Sequence, residues 1–358
     1  MQVEGLFDVP QAQRSISRFN VYLPLHERDW NIGLIVGPSG AGKSTIARKA
    51  FPEAYCTGFN DWPEDGAVVE AFPAEMSIKD ITLLLASVGF SSPPAWLRPF
   101  RTLSNGEQFR ATLARALAQY QELCVFDEFT SVVDRVVGRI GSSAVAKTVR
   151  RRGQRFIAVT CHDDVTEWLD PDWVYTPVSN SFQWRLLRGR PAIDLEIARV
   201  HHSAWKIFYR HHYLSRDLNK SAACFCAFIE GRPVAFQAAL PFVGRLSTKQ
   251  KAMRGSRLVT LPDYQGVGIG HRLVTTLGGM WKALGLRDFR PSGHIAEIVA
   301  ASKDPNWKLI RTHSRTAHDS DSSLSRTRAS NRLTVSFEYV GPAMEKDKAV
   351  ALFNSRAW

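Results

Sequence analysis

The chain has 358 residues, of which 44% are hydrophobic and 22% charged, with a formal net charge of +12. That length fits two cores of moderate size, and that balance excludes a disordered or fibrous chain. No stretch reaches the ~18–20 uncharged apolar residues of a membrane span, and five cysteines without paired spacing argue against a disulfide framework or a cysteine metal site.

The N-terminal segment MQVEGLFDVPQAQRS has neither a basic start with an apolar run nor a cleavage pattern, so a cytoplasmic chain is expected. The stretch WNIGLIVGPSGAGKSTIARKAF follows. It reads as a buried strand at Ile32 to Val36, a glycine-rich turn, and a helix starting near Lys43. In that context G-x-x-x-x-G-K-S is a phosphate-binding loop: backbone N–H groups and the helix N-terminus face the phosphates of ATP. Gly37, Pro38, Ser39, Gly40, Ala41, Gly42, Lys43, Ser44 and Thr45 are the ATP-binding candidates. Lys43 would reach the terminal phosphates and the Ser44 hydroxyl would ligate Mg²⁺.

Further along, TLSNGEQFRATLARAL opens a helix around Leu103 to Gln108. ELCVFDEFTS is a second strand, Leu123 to Phe126, ending in Asp127 and Glu128. Adjacent carboxylates at the end of a buried strand are costly unless they serve an ion or a water. Asp127 fits a Mg²⁺ partner, and Glu128 the base that polarises an attacking water. FTSVVD ends in Asp134, and FIAVTCHDD gives a third strand ending at His162.

Taken in order, these residues resemble the ATP-binding cassette (ABC) ATPases over roughly residues 15 to 175. The family signature L-S-G-G-Q stands here as Leu103-Ser104-Asn105-Gly106-Glu107, Asp134 matches its D-loop, and His162 its switch histidine. The family's glutamine between loop and signature has no clear counterpart, Glu70 being the nearest residue, and Phe19 and Tyr22 are the candidates for stacking on adenine. The resemblance implies a homodimer in which Ser104, Asn105, Gly106 and Glu107 of one subunit complete the ATP site of the other. The missing glutamine and the short segment between motifs argue against coupling to a membrane partner.

A linker is expected at TPVSNSFQWRLLRGRPAIDLE, dividing a domain of residues 1–190 from one of residues 191–358. The first holds 21 Lys and Arg against 21 Asp and Glu, the second 25 against 13, so the second carries the whole net charge. Such a field suits a polyanion such as DNA or RNA. Its basic residues include the runs Arg245, Lys249, Lys251, Arg254, Arg257 and Arg311, Arg315, Arg326, Arg328, Arg332.

Within the second domain, IARVHHSAWKIFYRHHYLS reads as an amphipathic helix and AACFCAFIEGRPVAFQAALPF as a hairpin turning at Glu230-Gly231-Arg232. Leu258 to Leu261 reads as a strand leading through a turn into a helix, HIAEIVA as a strand, Pro305 to Leu309 as a short helix, and RLTVSFEYV as a late strand. An α/β P-loop domain followed by an α+β domain is the expected architecture. The adjacent pairs His201-His202 and His211-His212 share no helix face, which disfavours a metal there.

The turn Gln265-Gly266-Val267-Gly268-Ile269-Gly270 resembles motif A, Q/R-x-x-G-x-G/A, of the GNAT family of N-acetyltransferases. Small residues let successive N–H groups approach a pyrophosphate at a helix start. The resemblance implies acetyl-CoA or another acyl-CoA lying in this cradle and against the strand from Val259 to Leu261, with an amine attacking the thioester. Glu297 is the base candidate by position. Asp263, beside the cradle, and Tyr213 are further possibilities. FYRHHYLS is faintly similar to Mom-type phage DNA-modifying proteins, a divergent GNAT branch, which points to an amine of a nucleic acid as acceptor. Two alternatives stay open: an acetyltransferase for a small-molecule or protein amine with a regulatory ATPase, and an ATP-binding subunit whose GNAT fold only senses a ligand.

Overall fold

The computed structural model describes residues 20–185, 192–212, 217–242, 251–313 and 334–356. Two sheets organise them. The first is built from β1 (Ile32–Val36), α1 (Lys43–Ala50), β2 (Tyr55–Cys56), α2 (Ile78–Ser87), α3 (Pro93–Trp96), α4 (Asn105–Gln119), β3 (Leu123–Phe126), α5 (Arg135–Arg152), β4 (Arg155–Thr160), α6 (Val165–Leu169), β5 (Trp173–Thr176) and β6 (Ser181–Trp184). Its strand order is β2-β3-β4-β1-β5-β6, parallel except for the β5–β6 hairpin.

The central strands are buried on both faces, as a parallel sheet sandwiched by helices requires. Every residue of β1 is buried. Gly33 is needed there because a Cβ would fall 2.0 Å from the Trp173 ring. Helices α2, α3 and α4 form an arm between β2 and β3, its core contributed by Leu84, Leu85, Phe90, Trp96 and Phe109.

The second sheet contains β7 (Glu196–Val200), α7 (Trp205–Phe208), β8 (Ala223–Ile229), β9 (Arg232–Pro241), β10 (Ala252–Thr260), α8 (Ile269–Ala283), β11 (Arg287–Ser292), α9 (Ile295–Lys303), β12 (Trp307–His313), β13 (Thr334–Tyr339) and α10 (Lys346–Asn354). Its order is β12-β13-β11-β10-β9-β8-β7, antiparallel everywhere except between β10 and β11. Those two parallel strands pair only from Ala252 to Arg254 against Arg287 to Phe289. Beyond that they part: β10 runs on beside β9, and β11 beside β13. The gap opens toward the start of α8.

Several expected elements differ. The stretch from Glu196 begins as a strand and turns into short helical turns, because β7 pairs along β8 from Glu196 to Val200. HIAEIVA is not a strand but most of helix α9, and Trp307 to Leu309 is not a helix but the start of β12, whose Trp307 pairs with Tyr339. The first part of the expected linker is folded: β6 pairs with β5 from Ser181 to Trp184. The Glu230-Gly231 hairpin is as expected, both residues taking positive φ (50° and 73°) as a type I′ turn demands. Phe19, Tyr213, Arg245, Lys249, Arg315, Arg326, Arg328 and Arg332 lie outside the described residues.

β11 presents a buried polar face of Asp288, Arg290 and Ser292. Burial pushes the Asp288 carboxyl up to about 7, against the pull of Arg290. Its folded pKa therefore exceeds the unfolded value near 3.9, the native state holds the extra proton between those limits, and this group's contribution to stability declines as pH rises from 4 to 7. Asp288→Asn should accordingly gain melting temperature relative to the parent at pH 8 compared with pH 5. An equal difference at both pH values would rule this out. Among the described residues, no helix is long and apolar enough to cross a membrane.

Candidate functional site

Strand order β3-β4-β1 places three loops side by side at the carboxyl edge of the first sheet. The loop after β1 carries Gly37 to Ser44, the turn after β3 carries Asp127 and Glu128, and the turn after β4 carries His162. Crevices at such edges are where open parallel sheets bind ligands.

In the phosphate loop, Gly40 (φ 79°) and Gly42 (φ 84°) take left-handed conformations, and Gly42 is the N-cap of α1 with no side-chain cap. The first N–H groups of α1 are thus left for a ligand. Lys43 is buried and its ammonium donates to the Pro38 carbonyl at 2.9 Å, which holds the charge within the loop.

Asp127 is buried, and its Oδ1 accepts from the Glu128 N–H at 2.9 Å. Its Oδ2 accepts from the Tyr55 hydroxyl. Ser44 neighbours the same phenol and works to lower its pKa, so Tyr55 stands between the two expected Mg²⁺ residues. Burial first, then the bond to Asp127, pushes the Tyr55 phenol up to about 12. A hydroxyl and a carboxylate within reach of one atom are the hard oxygen donors Mg²⁺ takes, so the residues fit the ion. Tyr55 escapes a sequence reading because β2 is only two residues long and carries no motif.

Glu128 is exposed, sits at positive φ (51°), and accepts from the Ser131 hydroxyl at 2.6 Å. His162 Nδ1 lies 3.1 Å from the Thr130 hydroxyl, and Thr130 also has positive φ (68°). The single turn after β3, with positive φ at Glu128 and Thr130, thus carries the adjacent hydroxyls of Thr130 and Ser131 that meet His162 and Glu128.

The signature residues begin α4. Ser104 is its N-cap, and with Glu107 it forms a capping box: Ser104 Oγ accepts from the Glu107 N–H at 3.3 Å, and Glu107 Oε2 accepts from the Ser104 N–H at 2.9 Å. Asp134 caps α5 by accepting from Val136 and Val137 N–H groups. Glu70 accepts from the Ala67 N–H, and Tyr22 is exposed. Gly106 faces the second sheet's domain, since a Cβ on it would lie 3.1 Å from Asp263 Oδ1.

That contact belongs to a close seam between the two halves. Arg110, on α4 and 0% exposed, donates to Asp263 at 3.3 Å. Burial pulls the Arg110 pKa down, and the nearby charges of Asp263, Glu107 and Asp134 work against that fall. Gln265 is the second tie: its Oε1 accepts from the Ser91 N–H at 2.5 Å and its Nε2 donates to the Thr260 carbonyl at 2.7 Å. His294 Nε2 stands 2.9 Å from the Ser91 carbonyl oxygen. Gly266 (φ 89°) meets Gly89 (φ 93°) so closely that a Cβ on Gly266 would lie 2.8 Å from Gly89 backbone and from Ala144. We expect Gly266→Ala to destabilise the protein by about 2–4 kcal/mol, from left-handed strain plus overpacking; a thermal melt matching the parent would contradict this.

Along the seam lies a cavity of about 630 Å³. Gln265, Gly266, Gly268, Ile269 and Gly270 of the cradle line it, with Val259 of β10. Gly268 (φ 99°) is the N-cap of α8, which has no side-chain cap and no acid in its first turn, and a Cβ there would meet nothing. The sequence candidates Val267 and Leu261 turn away instead: Val267 packs into the core under α8, and Leu261 packs beside Val259 while its N–H bonds the Val234 carbonyl. Glu297 corrects the expectation most clearly. It stands on α9, not on a strand, and although it lines the cavity its carboxylate is engaged by the Arg290 guanidinium and by the Ser292 hydroxyl at 3.0 Å. His211 and His212 also line the cavity, and burial lowers the His211 pKa.

No protein-family model matches the chain. The zinc import ATP-binding protein ZnuC of Photorhabdus laumondii is 26% identical over 159 residues, covering 39% of this chain and 62% of its own. The Fe(3+) ions import ATP-binding protein FbpC of Pseudomonas fluorescens is 31% identical over 169 residues, covering 36% and 47%. The glutamine transport ATP-binding protein GlnQ of Bacillus subtilis is 29% identical over 165 residues, covering 36% and 67%. The chain thus spans under two thirds of ZnuC and about half of FbpC. Among solved structures, CbiO1 of Clostridium perfringens, part of the ABC transporter complex CbiONQ, aligns at 18% identity and TM-score 0.33, over 41% of this chain and 72% of that one. A bacterial Atm1-family ABC exporter with ATP bound aligns at 20% and TM-score 0.34, over 41% and 32%. Given the ordered motifs, the loop–helix geometry after β1 and these sequence relatives, the first part of the chain is an ABC-type (ATP-binding cassette) ATPase domain.

Proposed function

We propose that the chain is an ATP-hydrolysing ABC-type ATPase coupled to a GNAT-like N-acyltransferase that uses acyl-CoA to modify an amine of DNA or RNA. The observation that carries the second half is the placing of the cradle. Residues Gly266 to Gly270 open α8 at the mouth of the cavity, where the parallel strands β10 and β11 part.

In the first half, Lys43 and the N–H groups of the loop bind phosphate, Ser44 and Asp127 hold Mg²⁺, and Glu128 orients the attacking water. Bound Mg²⁺ supplies neutralisation of charge on the phosphates. Of the signature, the exposed Ser104 and Asn105 act on the ATP of a second copy, so the working unit is a homodimer, while Gly106 and Glu107 are buried within their own chain.

In the second half, the amine nitrogen forms a bond to the thioester carbonyl carbon and the carbon–sulfur bond breaks. The sulfur leaves with the electron pair, and the proton lost by the amine ends on the thiol. Acceptor binding draws on the excess positive charge of residues 191–358. Incubating the chain with MgATP, labelled acetyl-CoA and either DNA or RNA tests the reading: label passing to nucleic acid supports it. Label passing only to small amines or protein favours another acceptor, and binding of CoA without turnover reduces the second domain to a sensor.

A further inference from the structure

The cavity has walls from both halves of the chain. Ala144 of α5 is the residue against which Gly266 packs. Lys147, Thr148 and Arg151 follow it by three, four and seven positions, which places them on the same helix face, and all three line the cavity. With a rise of 1.5 Å per residue, Lys147 stands roughly 4.5 Å and Arg151 roughly 10 Å beyond the point where α5 touches the cradle. Both side chains are exposed. Thr148 is tied to the Ser87 carbonyl at 2.9 Å and fixes this face against α2.

Across the cavity stands the start of α8. Its first intrahelical bond runs from Arg272 N–H to the Gly268 carbonyl, so the N–H groups of Ile269, Gly270 and His271 have no helical acceptor. Arg290, 4% exposed, also lines the cavity; its Nε pairs with Glu297, while Nη1 and Nη2 have no hydrogen-bond partner. A buried guanidinium with two open nitrogens is costly unless an acceptor reaches it. An open helix N-terminus, this arginine and two cations of α5 surround one volume, and each favours an anion.

We propose that the acyl-CoA site is a composite one, in which Lys147 and Arg151 of the ATPase domain hold phosphate groups of the ligand whose pyrophosphate lies at the start of α8. This rests on the reading of Gln265 to Gly270 as an acyl-CoA cradle. The ATPase domain then forms one wall of the transferase site. Helix α5 also begins at Asp134, among the ATP-site motifs, and ends in this wall.

The test is calorimetric titration of CoA into the full chain and four variants. Lys147→Glu/Arg151→Glu should weaken binding about ten-fold or more, Lys147→Arg/Arg151→Lys should retain the parent affinity, and Gly268→Glu should abolish binding. Melting curves confirm that each variant is folded. If Lys147→Glu/Arg151→Glu binds CoA like the parent while Gly268→Glu does not, the composite site is wrong and the cradle stands. If the parent chain does not bind CoA, the cradle reading falls and takes the composite site with it. ADP binding to the fourth variant, Lys43→Ala, as tightly as CoA binds it would give the cavity to a free nucleotide and overturn the proposal.

Discussion

Replacing Glu128 with Gln is expected to lower ATP turnover by about 10²–10⁴-fold while ATP still binds. The amide is isosteric with the carboxylate and can still accept from the Ser131 hydroxyl, so the strained turn at Glu128 keeps its support. What disappears is the charge proposed to draw a proton from the attacking water. The loop after β1 and the Asp127–Tyr55–Ser44 arrangement are untouched by the change. Steady-state phosphate release, beside binding of a fluorescent ATP analogue, separates the two effects. A closed dimer that cannot hydrolyse should also persist, so the variant should elute as a dimer with ATP. Turnover equal to the parent's would take the catalytic role away from Glu128.

Gly268→Glu is expected to remove acyl transfer entirely, and the reason is local. Gly268 is the N-cap of α8 at φ 99°, a conformation that costs a side chain about 1–2 kcal/mol. A Cβ there meets nothing, so the chain can carry the substitution and remain folded. The new carboxylate would stand at the helix N-terminus, where the proposed acyl-CoA would set its phosphates, and repel them. Labelled acetyl-CoA should then transfer no label to nucleic acid. Transfer at the parent rate would move the acyl-CoA site away from Gln265 to Gly270.

How much of this was legible in the sequence depends on distance along the chain. The phosphate loop could be read because strand, turn and helix are contiguous, and β1, β3 and the start of α1 fall where the apolar runs place them. The Glu230-Gly231 hairpin announces itself through its turn residues. HIAEIVA misled because a short apolar run fits either period, and only its packing beside α2 and its ion pair to Arg290 settle it as a helix. Trp307 misled in the opposite sense, its strand being fixed by a partner, Tyr339, that lies 32 positions away. The seam was invisible for the same reason: Arg110 and Asp263 are 153 residues apart, and Gln265 meets Ser91 across 174. Nothing in Gln265 to Gly270 reveals that Gln265 and Gly266 also tie the two halves of the chain together.

One measurement is decisive for the proposed link between ATP hydrolysis and acyl transfer. Nucleosides from cells expressing the parent chain, Lys43→Ala or Gly268→Glu can be compared by mass spectrometry. One acylated nucleoside is expected from the parent and from neither variant. Its persistence in either variant, or nucleosides identical with and without the parent chain, would contradict the proposed link.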